Sequence, residues 1–161
     1  MVSTSEALAI LHAVQVAPFR GAALRKFAME RLAELPNYNW CGIYRLEGEE
    51  LILDEFVGEA TDHTRIKVGV GVCGTAVAKN ANQVVDDVSQ VGNYLACSIK
   101  TKSEIVVLIR EGQTILGQID IDGHTPRAFD GTDEALLNEI AVVLADRWTE
   151  KATPEPMSAT S

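Results

Sequence analysis

The sequence predicts a single α+β domain, with a mostly antiparallel central sheet and helices from both chain ends packed on one of its faces. Three observations predict it. Apolar residues recur at helical spacing near both ends of the 161-residue chain, whereas the middle switches to an alternating period. Short glycine-containing turns join pairs of alternating segments, as in hairpins rather than parallel crossovers. The length suits one domain with a full hydrophobic core and is short for two.

Each element has its own signal. Ser3 and Glu6 have capping-box spacing ahead of Leu8, Ile10 and Leu11, which places a short first helix there. Leu24, Phe27, Ala28, Leu32 and Leu35 recur at helical spacing until Pro36 stops the run. Cys41, Ile43, Tyr44 and Leu46 run into Gly48, and Leu51, Leu53 and Phe56 resume after it, a strand–turn–strand pattern. Residues 105–109 and 115–121 read as a second strand pair across Glu111-Gly112-Gln113. In its second strand Ile115, Gly117, Ile119 and Ile121 are expected on one side, and Leu116, Gln118, Asp120 and Asp122 on the other. A final helix follows Asp130 and Thr132, with Asp133 and Glu134 in its first turn, where the helix dipole favours acids. Its core stripe is Leu136, Leu137, Ile140, Val143, Leu144 and Trp148. Residues 58–102 look loop-rich and are too long for a bare connection, so they are expected to carry the site. The end is expected to fray after Trp148, with one domain over residues 1–150 and a flexible tail over 151–161.

Composition narrows the function. Hydrophobic residues make up 47% and charged residues 23%, which excludes wholesale disorder. The formal net charge of −9 repels phosphate backbones, so nucleic acid is not an expected partner, whereas a cationic small molecule would be drawn in. No basic stretch precedes an apolar run at the start, and no aliphatic run is long enough to span a bilayer, so the expectation is a soluble cytoplasmic protein without a membrane partner. Three widely spaced cysteines do not make a disulfide framework, and no CxxC or Cys/His pairing points to zinc. The N-terminal helix pair offers a surface for a homodimer.

The segment Gly69-Val70-Gly71-Val72-Cys73-Gly74-Thr75-Ala76 is the most distinctive. Its glycines allow close backbone approach or positive φ, and the small apolar run after Cys73 can start a helix whose dipole favours a thiolate. From spacing alone the plainer reading is a tight turn around a small buried cysteine. Cys97 is followed by Lys100 and Lys102, which lower a thiol pKa, and Cys73 and Cys97 are candidates for a redox pair. Cys41, between Trp40 and Gly42 in a strand, reads as packing. Asp120 and Asp122 share a strand face, and Glu104 opens the neighbouring strand. If those strands pair, three carboxylates meet at one sheet end and raise at least one pKa; otherwise Asp122-Gly123-His124 is an ordinary solvated turn. His12, His63 and His124 form neither a catalytic triad nor a metal set.

Taken together, the Gly69–Ala76 segment, Ala96-Cys97, Ser103-Glu104-Ile105-Val106-Val107 and Asp120-Ile121-Asp122 resemble, in residues and in spacing, the free methionine-(R)-sulfoxide reductases, small stand-alone GAF-domain enzymes. The similarity runs from residue 39 to residue 130 and more loosely into both end helices. It implies a GAF-like fold and a thiol-dependent oxidoreductase that reduces free L-methionine-(R)-sulfoxide with no cofactor and no metal, recycled by thioredoxin. Residue by residue it implies that Cys97 attacks the sulfoxide sulfur and becomes a sulfenic acid, and that Cys73 is able to form a disulfide with it. Glu104, Asp120 and Asp122 match carboxylates that hold the substrate ammonium and protonate the sulfoxide oxygen. Trp40 and Tyr44 match aromatic residues lining the pocket around the methyl-sulfur end. A sulfoxide oxygen leaves only when protonated, so a carboxylic acid of raised pKa is a suitable partner. The family usually has a further cysteine ten residues before Cys73, implicated as its resolving thiol; here His63 stands there. Tyr94 and Ser98 stand where the family tends to have histidine and aspartate, and Leu108 where it has proline. Resolution by Cys73 or by an external thiol are both open, and the alternative function is a non-catalytic or weakly active GAF small-molecule-binding or sensor module.

Overall fold

The computed structural model describes residues 2–92 and 100–152. Helix α1 (Thr4–Val16) begins at the expected capping box: Ser3 accepts from the Glu6 amide while the Glu6 carboxylate accepts from the Ser3 amide. Helix α2 (Gly21–Leu32) follows and ends ahead of Pro36. Strands β1 (Trp40–Glu47) and β2 (Glu50–Val57) form the first hairpin, turning at Gly48 with φ of 62°. Three short elements come next: β3 (Arg65–Lys67), α3 (Gly71–Lys79) and β4 (Gln83–Val85). The second hairpin is β5 (Ser103–Glu111) with β6 (Thr114–Gly123), and α4 (Gly131–Asp146) closes the order. The sheet runs β3-β2-β1-β6-β5-β4 with every neighbouring pair antiparallel.

Residues 58–102, read from sequence as loop-rich, therefore hold one α-helix, one short 3-10 helix (Val88–Gln90) and two strands among the described residues. The strands escape detection because three residues are too few to display a period.

Helices α1, α2 and α4 cover one sheet face and α3 the other. Alternation along the strands sorts the side chains. Cys41, Ile43, Ile105, Val107, Ile119 and Ile121 face the three helices, whereas Trp40, Tyr44, Val106 and Leu108 face α3. Alternation over Ile115–Asp122 is interrupted once. The β5–β6 register slips between Ile109 and Arg110, so Ile115 packs on the α3 side and Leu116 on the three-helix side. The expected pattern holds for residues 117–122 and inverts before the bulge.

Asp133 is more than an acid in a helix first turn. It is fully buried and accepts from the Val2 amide, the Tyr38 hydroxyl and the Asp130 amide. Trp148 lies past the end of α4, packed against the core, with Arg25 over its ring at 4.4 Å. The chain stays attached beyond it, since Glu150 accepts from the Ala22 amide at 3.0 Å. Residues 153–161 of the expected tail lie outside the described residues. Among the described residues no helix is long and apolar enough to cross a membrane.

Candidate functional site

Register builds the site. Glu104 of β5 lies opposite Asp122 of β6, which lies opposite Trp40 of β1; one row further, Val106, Asp120 and Gly42 stand in line. The two expected strands do pair, and Glu104, Asp120 and Asp122 share the α3 face. They do not form a solvated turn: relative exposures are 2%, 0% and 1%. Burial, with the charges of Asp120 and Asp122 adding to it, holds the Glu104 carboxyl well above the ordinary glutamate pKa.

Cys73 reaches this face from above. It sits in the first turn of α3, which starts at Gly71 with φ of 66°. A side chain at Gly74 would put its Cβ 2.5 Å from the Lys67 carbonyl, so only glycine lets this turn lie against the end of β3. The Cys73 Sγ lies 3.9 Å from Glu104 Oε2. One atom each from Cys73, Glu104 and Asp120 lie within 4.8 Å of one another, within reach of a single cation. Cys73 is thus both the small buried cysteine and the helix-start thiol that its motif allowed.

The two aromatic residues are buried and committed to neighbours. The Trp40 indole stacks on Phe56 at 5.7 Å, and its Nε1 donates to the Glu59 carbonyl at 2.9 Å. The ring lies over Gly42, where an added Cβ would come 2.3 Å from Trp40. The Tyr44 hydroxyl donates to the His63 carbonyl at 2.8 Å. Both therefore hold the segment that joins β2 to β3, and half-buried His63 takes part through its backbone. Sequence reasoning passed over Gly42, Phe56 and Gln118. A glycine inside a strand was a usable signal for the first, because it marks close approach. Gln118 is fully buried, on the same strand face as Asp120, and neither side-chain polar atom has a hydrogen-bond partner among the described residues.

Cys41 lies on the opposite sheet face, its thiol 3.7 Å from the Tyr38 carbonyl. Burial, followed by the charges of Asp122 and Asp120, pushes its pKa up and leaves the thiol inert. Cys97 lies outside the described residues, as do Tyr94 and Ser98. Leu108 is buried in the cluster under α3.

The GAF domain family matches residues 25–147, from α2 through α4. The free methionine-R-sulfoxide reductase of Escherichia coli is 39% identical over 115 residues, which cover 71% of this chain and 67% of that protein. The chain belongs to the free methionine-R-sulfoxide reductase family of GAF domains. The solved structures agree with this membership. The type II free methionine-R-sulfoxide reductase of Thermoplasma acidophilum is 38% identical, with a TM-score of 0.75 over 86% of this chain and 94% of its own. The enzyme of Neisseria meningitidis in complex with its substrate is 31% identical, with a TM-score of 0.81 and 92% of each chain covered. The expected family and its α+β GAF-like fold are therefore both met.

Proposed function

We propose that this protein reduces free L-methionine-(R)-sulfoxide to methionine, with Cys97 as nucleophile, Cys73 as resolving thiol and thioredoxin as the external reductant. The observation that carries the reading is the buried trio Glu104, Asp120 and Asp122 beside Cys73, in a chain 39% identical to a free methionine-R-sulfoxide reductase. Three crowded carboxylates favour a cationic amine, which suits a free amino acid and disfavours a methionine within a peptide.

In the proposed reaction the Cys97 thiolate attacks the sulfoxide sulfur while a carboxylic acid of the trio protonates the oxygen. Glu104 is suited to that role, because burial and the neighbouring charges of Asp120 and Asp122 raise its pKa and favour the protonated form. The oxygen passes to Cys97 as a sulfenic acid and methionine leaves; the methionine sulfur is reduced by two electrons and the Cys97 sulfur oxidised by two. The Cys73 thiol then attacks the sulfenic sulfur, expelling water and forming the Cys73–Cys97 disulfide. A thioredoxin dithiol restores both thiols by exchange and becomes a disulfide itself. Since His63 occupies the position of the family's usual third cysteine, direct resolution by Cys73 is the shortest route.

A stoichiometric addition of each sulfoxide epimer, without reductant, tests the chemistry. The R epimer is expected to release one methionine per chain and leave a disulfide visible by mass spectrometry. Cys97→Ser is expected to release none, and Cys73→Ser to release methionine while stopping at the sulfenic acid. Saturable binding of the sulfoxide with no methionine released would instead establish a non-catalytic GAF binding module, the reading that His63 favours.

A further inference from the structure

We propose that Gln118 binds the α-ammonium and α-carboxylate of the substrate, which makes the pocket select zwitterionic amino acids over amines that lack the carboxylate. The inference rests on the proposed reaction of free methionine sulfoxide. Gln118 is 0% exposed on the α3 face, between Tyr44 of β1 and Leu108 of β5. Neither its Oε1 nor its Nε2 has a hydrogen-bond partner among the described residues. A buried amide with both ends unpaired is unfavourable in the fold by itself and is expected to meet a ligand that completes it. A zwitterion does so: its ammonium donates to Oε1 and its carboxylate accepts from Nε2.

Position decides which end of the substrate reaches it. Asp122, Asp120 and Gln118 are successive α3-face residues of β6, about 6.8 Å apart. Cys73 and Glu104 gather at the Asp120–Asp122 end, with one atom each from Cys73, Glu104 and Asp120 within 4.8 Å of one another. The sulfoxide belongs at that end in the proposed reaction. The amino-acid end then extends along β6 past Asp120 to Gln118, a step comparable to the substrate's length from sulfur to carboxylate. The two aromatic donors of this face are already spent, Trp40 on the Glu59 carbonyl and Tyr44 on that of His63. A neutral amide also suits a site of three acids. A cationic side chain at 118 would pair with Asp120 and displace the ammonium, whereas the amide meets both substrate charges and adds none.

A pair of substrates reads the contact. Free methionine-(R)-sulfoxide is compared with the matching epimer of 3-(methylsulfinyl)propylamine, which keeps the ammonium and the sulfoxide and lacks the carboxylate, with dithiothreitol as reductant. In the wild type, kcat/KM for the amino acid is expected to exceed that for the amine by at least about tenfold, as a hydrogen bond to a charged group implies. Gln118→Leu and Gln118→Met are expected to raise KM for the amino acid by at least about tenfold with kcat little changed, and to shrink the preference to about threefold or less. Near-ultraviolet circular dichroism identifies the variants that keep their fold. Calorimetric binding of methionine against 3-(methylthio)propylamine repeats the comparison without chemistry. Equal losses on both ligands, or no loss, in folded variants would give Gln118 a structural role and overturn the inference, leaving the reductase reading intact. A preference for methionine that depends on Gln118, without methionine release from the sulfoxide, would uphold the inference and overturn the reductase reading. A wild type that binds neither ligand overturns both.

Discussion

Glu104 has lost almost all contact with water while facing two further carboxylates, and its proton carries the consequence. In the folded chain it keeps that proton above 4.5, the ordinary value at which the unfolded chain releases it. Over that window the native state binds more protons than the unfolded state, so stability falls as pH rises. The contribution is fully present below about 4.5 and is lost as pH climbs through the folded pKa. Glu104→Gln is expected to abolish sulfoxide reduction and to gain thermal stability over the wild type progressively with rising pH. A gap that did not change with pH would refute the assignment. The cysteines differ in the same physical way. Cys41 is on the three-helix face with its pKa pushed up by burial, so iodoacetamide is expected to spare it until the protein unfolds. Cys41→Ala is expected to cost about 1–2 kcal/mol in urea unfolding and leave methionine release unchanged.

At the scale of elements, the segment after β2 is positioned by side chains that reach across the sheet to it. Trp40 and Tyr44 each donate to one of its carbonyls, and Gly42 leaves room for the indole. Gly42→Ala is expected to displace Trp40, alter the near-ultraviolet circular dichroism, raise KM for the sulfoxide and cost about 1–3 kcal/mol. Gly131→Ala, where an added Cβ meets nothing within 4 Å, is the matched control and is expected to change neither KM nor the spectrum. The legibility of an element followed its length and capping. Helix α1 was readable from Ser3 and Glu6 ahead of Leu8, Ile10 and Leu11, because a capping box is a local device. Strands β3 and β4 were unreadable, since each has three residues and is defined by its partner strand. The Ile115–Leu116 inversion was equally hidden, because a bulge belongs to a pair of strands and leaves no mark in either sequence.

At the scale of the whole molecule, a buried ion pair joins the helical layer to the sheet and to the stretch that follows α4. Arg25 of α2 donates to Asp54 of β2 at 2.5 Å and to the Trp148 carbonyl at 2.8 Å, with side chains 7% and 13% exposed. Asp54 also accepts from Arg45 at 3.1 Å. Arg25→Ala is expected to cost about 1–3 kcal/mol by urea unfolding, because it removes one of the two charge partners of a nearly buried carboxylate and leaves Arg45 as the other. From sequence, Arg25 counted as one of the charges between apolar positions of α2; only the docking of β2 and Trp148 against that helix turns it inward.

The sequence by itself determined the class of the fold, the order of its long elements and the family, because hydrophobic period, capping residues and the spacing of short motifs are properties of the chain. It also nominated Glu104, Asp120 and Asp122 as neighbours, conditional on one strand pairing. The tertiary structure decided that the pairing occurs, that all three acids are buried, and that Cys73 lies over them while Cys41 is on the far face. Proton affinity and ligand reach depend on distance and dielectric, and residues 73, 104 and 120 acquire both only when α3 closes on the sheet.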